Sequence, residues 1–140
     1  MSTVGRRGFL GGVVGVLVAA AAPIGWVGRA FGAPAAAANP SDKVARLFSD
    51  EAGTSRIGAA YLAVVPQEND ATLLFAALAP TGEPPDEWWV GVGMRELRRT
   101  VRAAAHADFA AGDVVDLEGW QLARTEVRLA ALFTVTHSAG

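Results

Sequence analysis

Four arginines, two adjacent tryptophans, two histidines and a pair of carboxylates are the side chains in this 140-residue chain whose spacing invites chemistry. Arg95, Arg98, Arg99 and Arg102 repeat at intervals that return to one side of a helix, which predicts a basic stripe opposite Leu97, Val101 and Ala105. A guanidinium offers a planar fork of donors to carboxylate or phosphoryl oxygens, so the stripe suits docking to an acidic partner or a phosphate-bearing ligand. The plainer alternative is a solvated face paired with Glu96 or with acids of a later hairpin. Trp88 and Trp89 follow a loop rich in Pro and Gly, Thr81 to Asp86. Tryptophan is enriched at the centres of interfaces, so the pair predicts one indole packed inward and one meeting a partner, a sugar or a membrane surface. The alternative tucks both into the core.

The other candidates are weaker. His106 and His137 are the only histidines, and a metal site generally takes three or four close ligands, so His106 with Asp108 or Asp113 falls short unless the fold adds others. Asp116 and Glu118 share a strand face by their i, i+2 spacing, but two carboxylates about 7 Å apart on an exposed hairpin read as a solvated surface before an acid and base. No Gly-x-Ser-x-Gly elbow is present, and Gly91-Val92-Gly93 lacks both the third glycine and the strand context of a dinucleotide loop. No catalytic residue, metal or cofactor is therefore assigned.

Charge and composition narrow the classes further. Of 12 basic residues three, Arg6, Arg7 and Arg29, lie in the first 38 positions, which hold no acid. The remaining nine face all 14 acidic residues, so positions 39–140 carry a net −5, which argues against nucleic acid as a partner. Cysteine is absent, so disulfides, thiolate metal sites and iron–sulfur clusters are excluded and the domain must hold by packing. About 100 residues after the first segment suffice for one compact core.

That first segment reads as an export leader. Gly5-Arg6-Arg7-Gly8-Phe9-Leu10-Gly11 resembles the twin-arginine (Tat) recognition motif, with Arg6, Arg7, Phe9 and Leu10 at its central positions. Gly12 to Val27 is uncharged and mildly apolar, and Arg29 before the cleavage region suits the Tat route better than the general secretory one. Ala33-Pro34-Ala35 and Ala36-Ala37-Ala38 both satisfy the small-residue cleavage rule. The alternative is an uncleaved anchor, since Phe9 to Val27 is just long enough to cross a bilayer, although Pro23 and the glycines weaken it. The resemblance implies the Tat translocase as a partner, an extracytoplasmic or periplasmic location, membrane contact only through a retained leader, and folded cargo that holds a cofactor or travels with a partner that does.

After residue 39 helical periodicity dominates. Ser41 or Asp42 is expected to cap a short helix to Phe48, with Val44, Leu47 and Phe48 inward. Gly53-Thr54-Ser55 is expected to separate it from a helix over 56–65 with Ile57, Ala60, Tyr61 and Val64 inward, ended by Pro66. Asn69 or Asp70 can cap a third helix with Leu73, Leu74, Ala77 and Leu78 on one face. Glu87 to Gly93 is expected to be irregular. The strongest period covers Met94 to Ala110 through Leu97, Val101, Ala105 and Phe109, stopped by Gly112. Val114–Leu117 and Trp120–Leu122 predict a hairpin about Glu118-Gly119, followed by a helix over 125–135.

Two segments carry a further resemblance. Asp108 to Leu129, with its Gly-Trp-x-Leu-x-x-Thr-Glu-x-Arg-Leu run, is similar to the C-terminal signature of short bacterial Tat-exported proteins of unknown function, and Ile57-Gly58-Ala59-Ala60-Tyr61-Leu62 fits the same group less specifically. No activity travels with it. The family pattern has Ser where this chain has Ala123, so the reciprocal cap between that Ser and Glu126 is lost at about 1 kcal/mol unless something replaces it, and Thr125 is a substitute cap for a later start. The expected architecture is mainly α: a small bundle of four to five helices over 39–140 with one short β-hairpin near the C-terminus, preceded by a signal peptide over 1–38. The expected function is an exported, non-catalytic accessory protein or small subunit that binds a larger Tat-routed partner, redox enzymes being one candidate class. The alternative is a small periplasmic enzyme or ligand-binding module using the Trp88-Trp89 loop and the Arg95 to Arg102 stripe.

Overall fold

The computed structural model describes residues 38–138, and these form six α-helices and one antiparallel hairpin. Helix α1 spans Pro40–Ala45, α2 Glu51–Val64, α3 Ala71–Leu78, α4 Pro85–Gly91, α5 Met94–Ala111 and α6 Arg124–His137. Strands β1, Val114–Leu117, and β2, Trp120–Ala123, join α5 to α6, and one 3-10 turn, Pro66–Glu68, follows α2. The residues of the expected leader, Arg6, Arg7, Phe9 and Leu10 included, lie outside the described residues. Among the described residues no helix is long and apolar enough to cross a membrane.

Helix α6 is the axis of the fold. Val127 and the unbroken run Leu129 to Phe133 are buried, which is more than one helical face, so the helix must be covered on several sides. Helices α1, α2, α3 and α5 supply that cover. Ala130 and Ala131 keep the axis thin, and α2 comes in with Gly58 against it. A Cβ at Gly58 would meet the Thr134 hydroxyl and the Ala130 carbonyl oxygen, so the crossing distance is set by a missing side chain. Farther along, Phe48 meets Phe133 edge to face with centroids 5.9 Å apart.

Helix ends follow their caps. Asn39, two positions before the expected Ser41, accepts from the Ser41 amide at 2.8 Å and starts α1 with Pro40 in the first turn. Gly53-Thr54-Ser55 does not interrupt the chain: α2 begins at Glu51 because Asp50 accepts from the Gly53 amide at 2.9 Å and the Thr54 hydroxyl donates to the Asp50 carbonyl at 2.6 Å. The cap outweighs the entropic cost of one glycine in the first turn. Of the two expected caps, Asp70 starts α3, but the buried face turns to Leu74 with Phe75 and Leu78 beside it, leaving Leu73 55% exposed. Val64, expected inward, is also exposed, at the last position of α2.

The segment from Glu87 is a correction. Residues 85–91 form a helix, not an irregular run: Pro85 presets the first turn, and Asp86 and Glu87 favour the positive end of the dipole. This accounts for the sixth helix. The predicted hairpin forms with Leu117 opposite Trp120, and its two-residue turn carries positive φ at both Glu118 (51°) and Gly119 (82°), the type I′ geometry whose twist matches the strands. Gly112 closes α5 in the left-handed region, as its position predicts.

Candidate functional site

Helix α5 turns Leu97, Val101 and Ala105 to the core, which leaves Arg95, Arg99 and Arg102 exposed and Arg98 half-buried on the flank. His106 continues the exposed side one turn on. The stripe is thus brought together, and the pairing that would have made it an ordinary solvated face is missing. Residues 38–138 contain nine cationic side chains. Four are engaged: Lys43 with backbone carbonyls, Arg56 with Glu118 at 2.8 Å, Arg124 with Asp113 at 3.2 Å and Arg128 with Glu68 at 2.7 Å. The other five, Arg46, Arg95, Arg98, Arg99 and Arg102, make no ion pair or side-chain hydrogen bond among the described residues. Arg98 is the unusual member. Its Nε is buried without an acceptor, and burial, followed by the nearby Arg46 charge, lowers its pKa below the ordinary arginine value.

The tryptophans take a different place. Trp89 is 2% exposed and its indole N–H donates to the Phe75 carbonyl at 2.9 Å, so it is a fully satisfied core residue. Trp88 is half-buried against it, edge to face at 5.1 Å, and Phe75 also meets Trp89 edge to face, at 5.0 Å. Both indoles therefore stand on a packed helix instead of a recognition loop. The helix ends under Lys43, a buried lysine whose ammonium donates to the carbonyls of Trp89, Val90 and Val92 at 2.8, 2.9 and 2.8 Å. Three protons meet three acceptors at the negative end of α4.

The acids proposed for metal or acid–base work have structural employment. Asp108 reaches from α5 to the start of α6, where one carboxylate oxygen accepts from the Thr125 amide at 2.7 Å and its hydroxyl at 2.6 Å. This supplies the cap that Ala123, lacking an oxygen, does not, while Glu126 still accepts from the Ala123 amide at 2.7 Å. Helix α6 accordingly starts at Arg124, ahead of the later start that Thr125 as cap implies. Asp116 is exposed, and Glu118 lies in the turn facing Arg56, so the strand period that paired them stops at Leu117. His137 stacks on Phe133 at the far end of α6 from His106's helix, and among the described residues no group of three or more His, Asp or Glu is placed to hold a metal.

A polar chain that periodicity does not predict crosses from the 3-10 turn to β1. Arg128 grips Glu68 with Nη2 at 2.7 Å and Nε at 3.2 Å, and the buried Tyr61 hydroxyl donates to Glu68 at 2.6 Å. Arg124 donates to the Tyr61 oxygen at 3.3 Å and to Asp113 at 3.2 Å. Its signal was the i, i+4 spacing of Arg124 and Arg128, with no local hint of which acids they meet. Burial, then the bond to Glu68, raises the Tyr61 pKa, so the phenol stays protonated and is a clasp instead of a nucleophile or base. The Arg128 bond, aided by Tyr61, holds the Glu68 pKa below its ordinary 4.5. Because the folded value is the lower one, this stabilisation is complete above about pH 5.5 and is lost as pH falls through 4.5 toward the folded value. In urea titrations across pH, Glu68→Gln is expected to be less stable than the parent by about 2 kcal/mol at pH 7, with the gap narrowing as pH falls below 4.5. A gap that stays constant with pH would show that the carboxylate charge is not what binds.

Comparison with models of known protein families, with curated proteins and with solved structures finds no match.

Proposed function

We propose that this chain is an exported, non-catalytic accessory protein that docks to an acidic surface on a larger partner through the arginine-bearing face of α5. One observation carries the reading: among the described residues the four arginines of α5 and Arg46 at the end of α1 form no ion pair with a carboxylate, in a domain that has acids to spare. Exposed guanidinia that no internal acid neutralises steer an acidic partner and fix its register. The leader, with Arg6 and Arg7 before an uncharged stretch, supports delivery by the Tat route to an extracytoplasmic site, either as a cleaved domain of residues 39–140 or held at the membrane by that leader. A Tat-routed enzyme, a redox enzyme among them, is the partner class this route favours. The competing reading as a small enzyme or ligand-binding module loses its main support with Trp89 buried and its N–H satisfied.

The test uses the full chain, tagged and expressed in its host, with partners identified from low-salt pull-downs. Arg95→Glu, Arg99→Glu and Arg102→Glu combined are expected to remove the partner, while the circular dichroism spectrum and melting temperature stay within a few degrees of the parent, because all three side chains are exposed. Raising salt should weaken the parent complex steeply. Recovery of the same partner by the triple variant at undiminished yield would refute the docking face. Export is tested separately: Arg6→Lys with Arg7→Lys in a reporter fusion should stop delivery.

A further inference from the structure

We propose that residues 66–80, the 3-10 turn together with α3, are an acid-released flap that the Glu68 clasp holds shut. The segment joins its neighbours through non-helical links at Val65 and Ala79, and positions 71–80 contain no charged residue. Its apolar hold on the domain is modest. Leu74 is the one buried residue of α3, Phe75 and Leu78 are half-buried, and Leu73, Ala76 and Ala77 are exposed. The polar hold is concentrated in Glu68. Its carboxylate accepts from Arg128 of α6 through Nη2 at 2.7 Å and Nε at 3.2 Å and from the Tyr61 hydroxyl of α2 at 2.6 Å, while Arg124 of α6 donates to the same Tyr61 oxygen at 3.3 Å. The Glu68 and Arg128 side chains are 20% and 29% exposed, so the pair is shielded enough for its charges to matter and open enough for a proton to reach it.

Protonation of Glu68 removes that hold. A neutral carboxyl keeps only ordinary hydrogen bonds and leaves the half-buried Arg128 without its counter-charge, so the closed state loses more than the open one, in which both groups are hydrated. The lowered Glu68 pKa has the matching sign: the clasp is complete above its ordinary 4.5 and is lost as pH falls below it. Asp70 is the other acid of the flap, and its carboxylate caps α3 through the Leu73 amide at 3.1 Å, a bond within the flap itself. Opening takes α3 away from α6 and α4, breaks the 2.9 Å bond from the Trp89 indole to the Phe75 carbonyl, and presents a charge-free apolar helix to solvent. The domain thus keeps an apolar surface covered at neutral pH and uncovers it in acid. None of the arginines offered to a partner takes part, so the flap and the docking face stand or fall separately.

The chain has no cysteine, so a single engineered thiol is a unique reporter. Leu74→Cys reads opening of the flap, and Val101→Cys, buried on α5, reads unfolding of the whole domain. Each full-length variant is labelled with a dipyridyl disulfide between pH 7 and about pH 3.5, and the rates are normalised to those of an unfolded peptide. Leu74→Cys is expected to label about tenfold faster than Val101→Cys, with little dependence on low urea, and to speed up as pH falls below 4.5. Adding Glu68→Gln, a neutral stand-in for the protonated acid, should raise the Leu74→Cys rate at pH 7 about 30-fold and abolish its pH dependence. Asp70→Asn, which keeps the cap, should leave the pH dependence in place. Amide hydrogen exchange of the unsubstituted chain makes the same comparison without a cavity at Leu74: the amides of α3 should exchange ahead of those of α5 and with a smaller urea dependence. Labelling and exchange of α3 in step with α5 at every pH would overturn the proposal, because the clasp would then stabilise the whole domain and not a flap. An acid-induced speed-up that survives Glu68→Gln would overturn it as well.

Discussion

Gly58→Ala is expected to destabilise the domain by about 3 kcal/mol and to lower its melting temperature by roughly 15 °C. In an exposed helix the same change would stabilise, because alanine is the better helix former by about 1 kcal/mol. The sign reverses here because the new methyl would overlap the Thr134 hydroxyl and the Ala130 carbonyl oxygen, with the Ala130 carbonyl carbon only 2.7 Å away. A flexible side chain can swing aside. Thr134 has some of that freedom, but the Ala130 carbonyl is part of the α6 backbone and accepts from the Thr134 hydroxyl at 2.9 Å. Helices α2 and α6 must therefore separate, and theirs is the most extensive helix contact in the fold. Thermal melts by circular dichroism check the value, and Gly58→Val should be worse still. If Gly58→Ala melts at or above the parent temperature, α2 and α6 do not cross as closely as described.

Lys43→Met is expected to cost about 3 kcal/mol and to red-shift the tryptophan fluorescence of the folded state. The methionine has a similar stem, so packing is nearly conserved, and the loss is that of three charge-assisted hydrogen bonds to the carbonyls of Trp89, Val90 and Val92. Those carbonyls then lack donors, and the end of α4 that positions Trp89 loosens. Lys43→Arg should not rescue it, because a planar fork cannot point three protons at acceptors converging on one nitrogen. Burial lowers the Lys43 pKa from its ordinary 10.5, so the folded chain releases this proton before the unfolded chain does. The desolvation cost is thus present in full below the folded value and relieved as pH rises through the window from the folded value to 10.5. Fluorescence and urea unfolding read both effects. A variant as stable as the parent, with unchanged emission, would mean that the lysine spans the helix end without supporting it.

These two residues show why part of the fold escapes a reading of periods and caps. Gly58 looks like an ordinary helix glycine until α6 is placed against it, and Lys43 looks like a surface lysine of a short helix. Nothing within four residues of either announces a role, because the partner groups come from distant elements and are mostly backbone. Similar reasoning applies to Ala123. The sequence shows a cap residue missing, and Asp108 repairs it across a tertiary contact that local rules do not see. The Trp88-Trp89 helix is hidden for a related reason: Gly91 and Gly93 weaken local helix propensity, but the burial of Trp89 and the Lys43 contacts at the helix end favour the helix.

What the sequence by itself determined is short-ranged. The apolar period of α5 and its stop at Gly112, the Glu118-Gly119 turn, a cap for α3 at Asn69 or Asp70 and the side of α5 that bears the arginines all follow from interactions spanning a few residues. Only the tertiary structure decided which charges are neutralised. Arg56, Arg124 and Arg128 find acids brought to them from other elements, whereas Arg46 and the four arginines of α5 do not. Whether a guanidinium is a spent internal cation or an available one depends on what packing places within about 4 Å of it, and that distance is a property of the assembled helices, not of any stretch of chain.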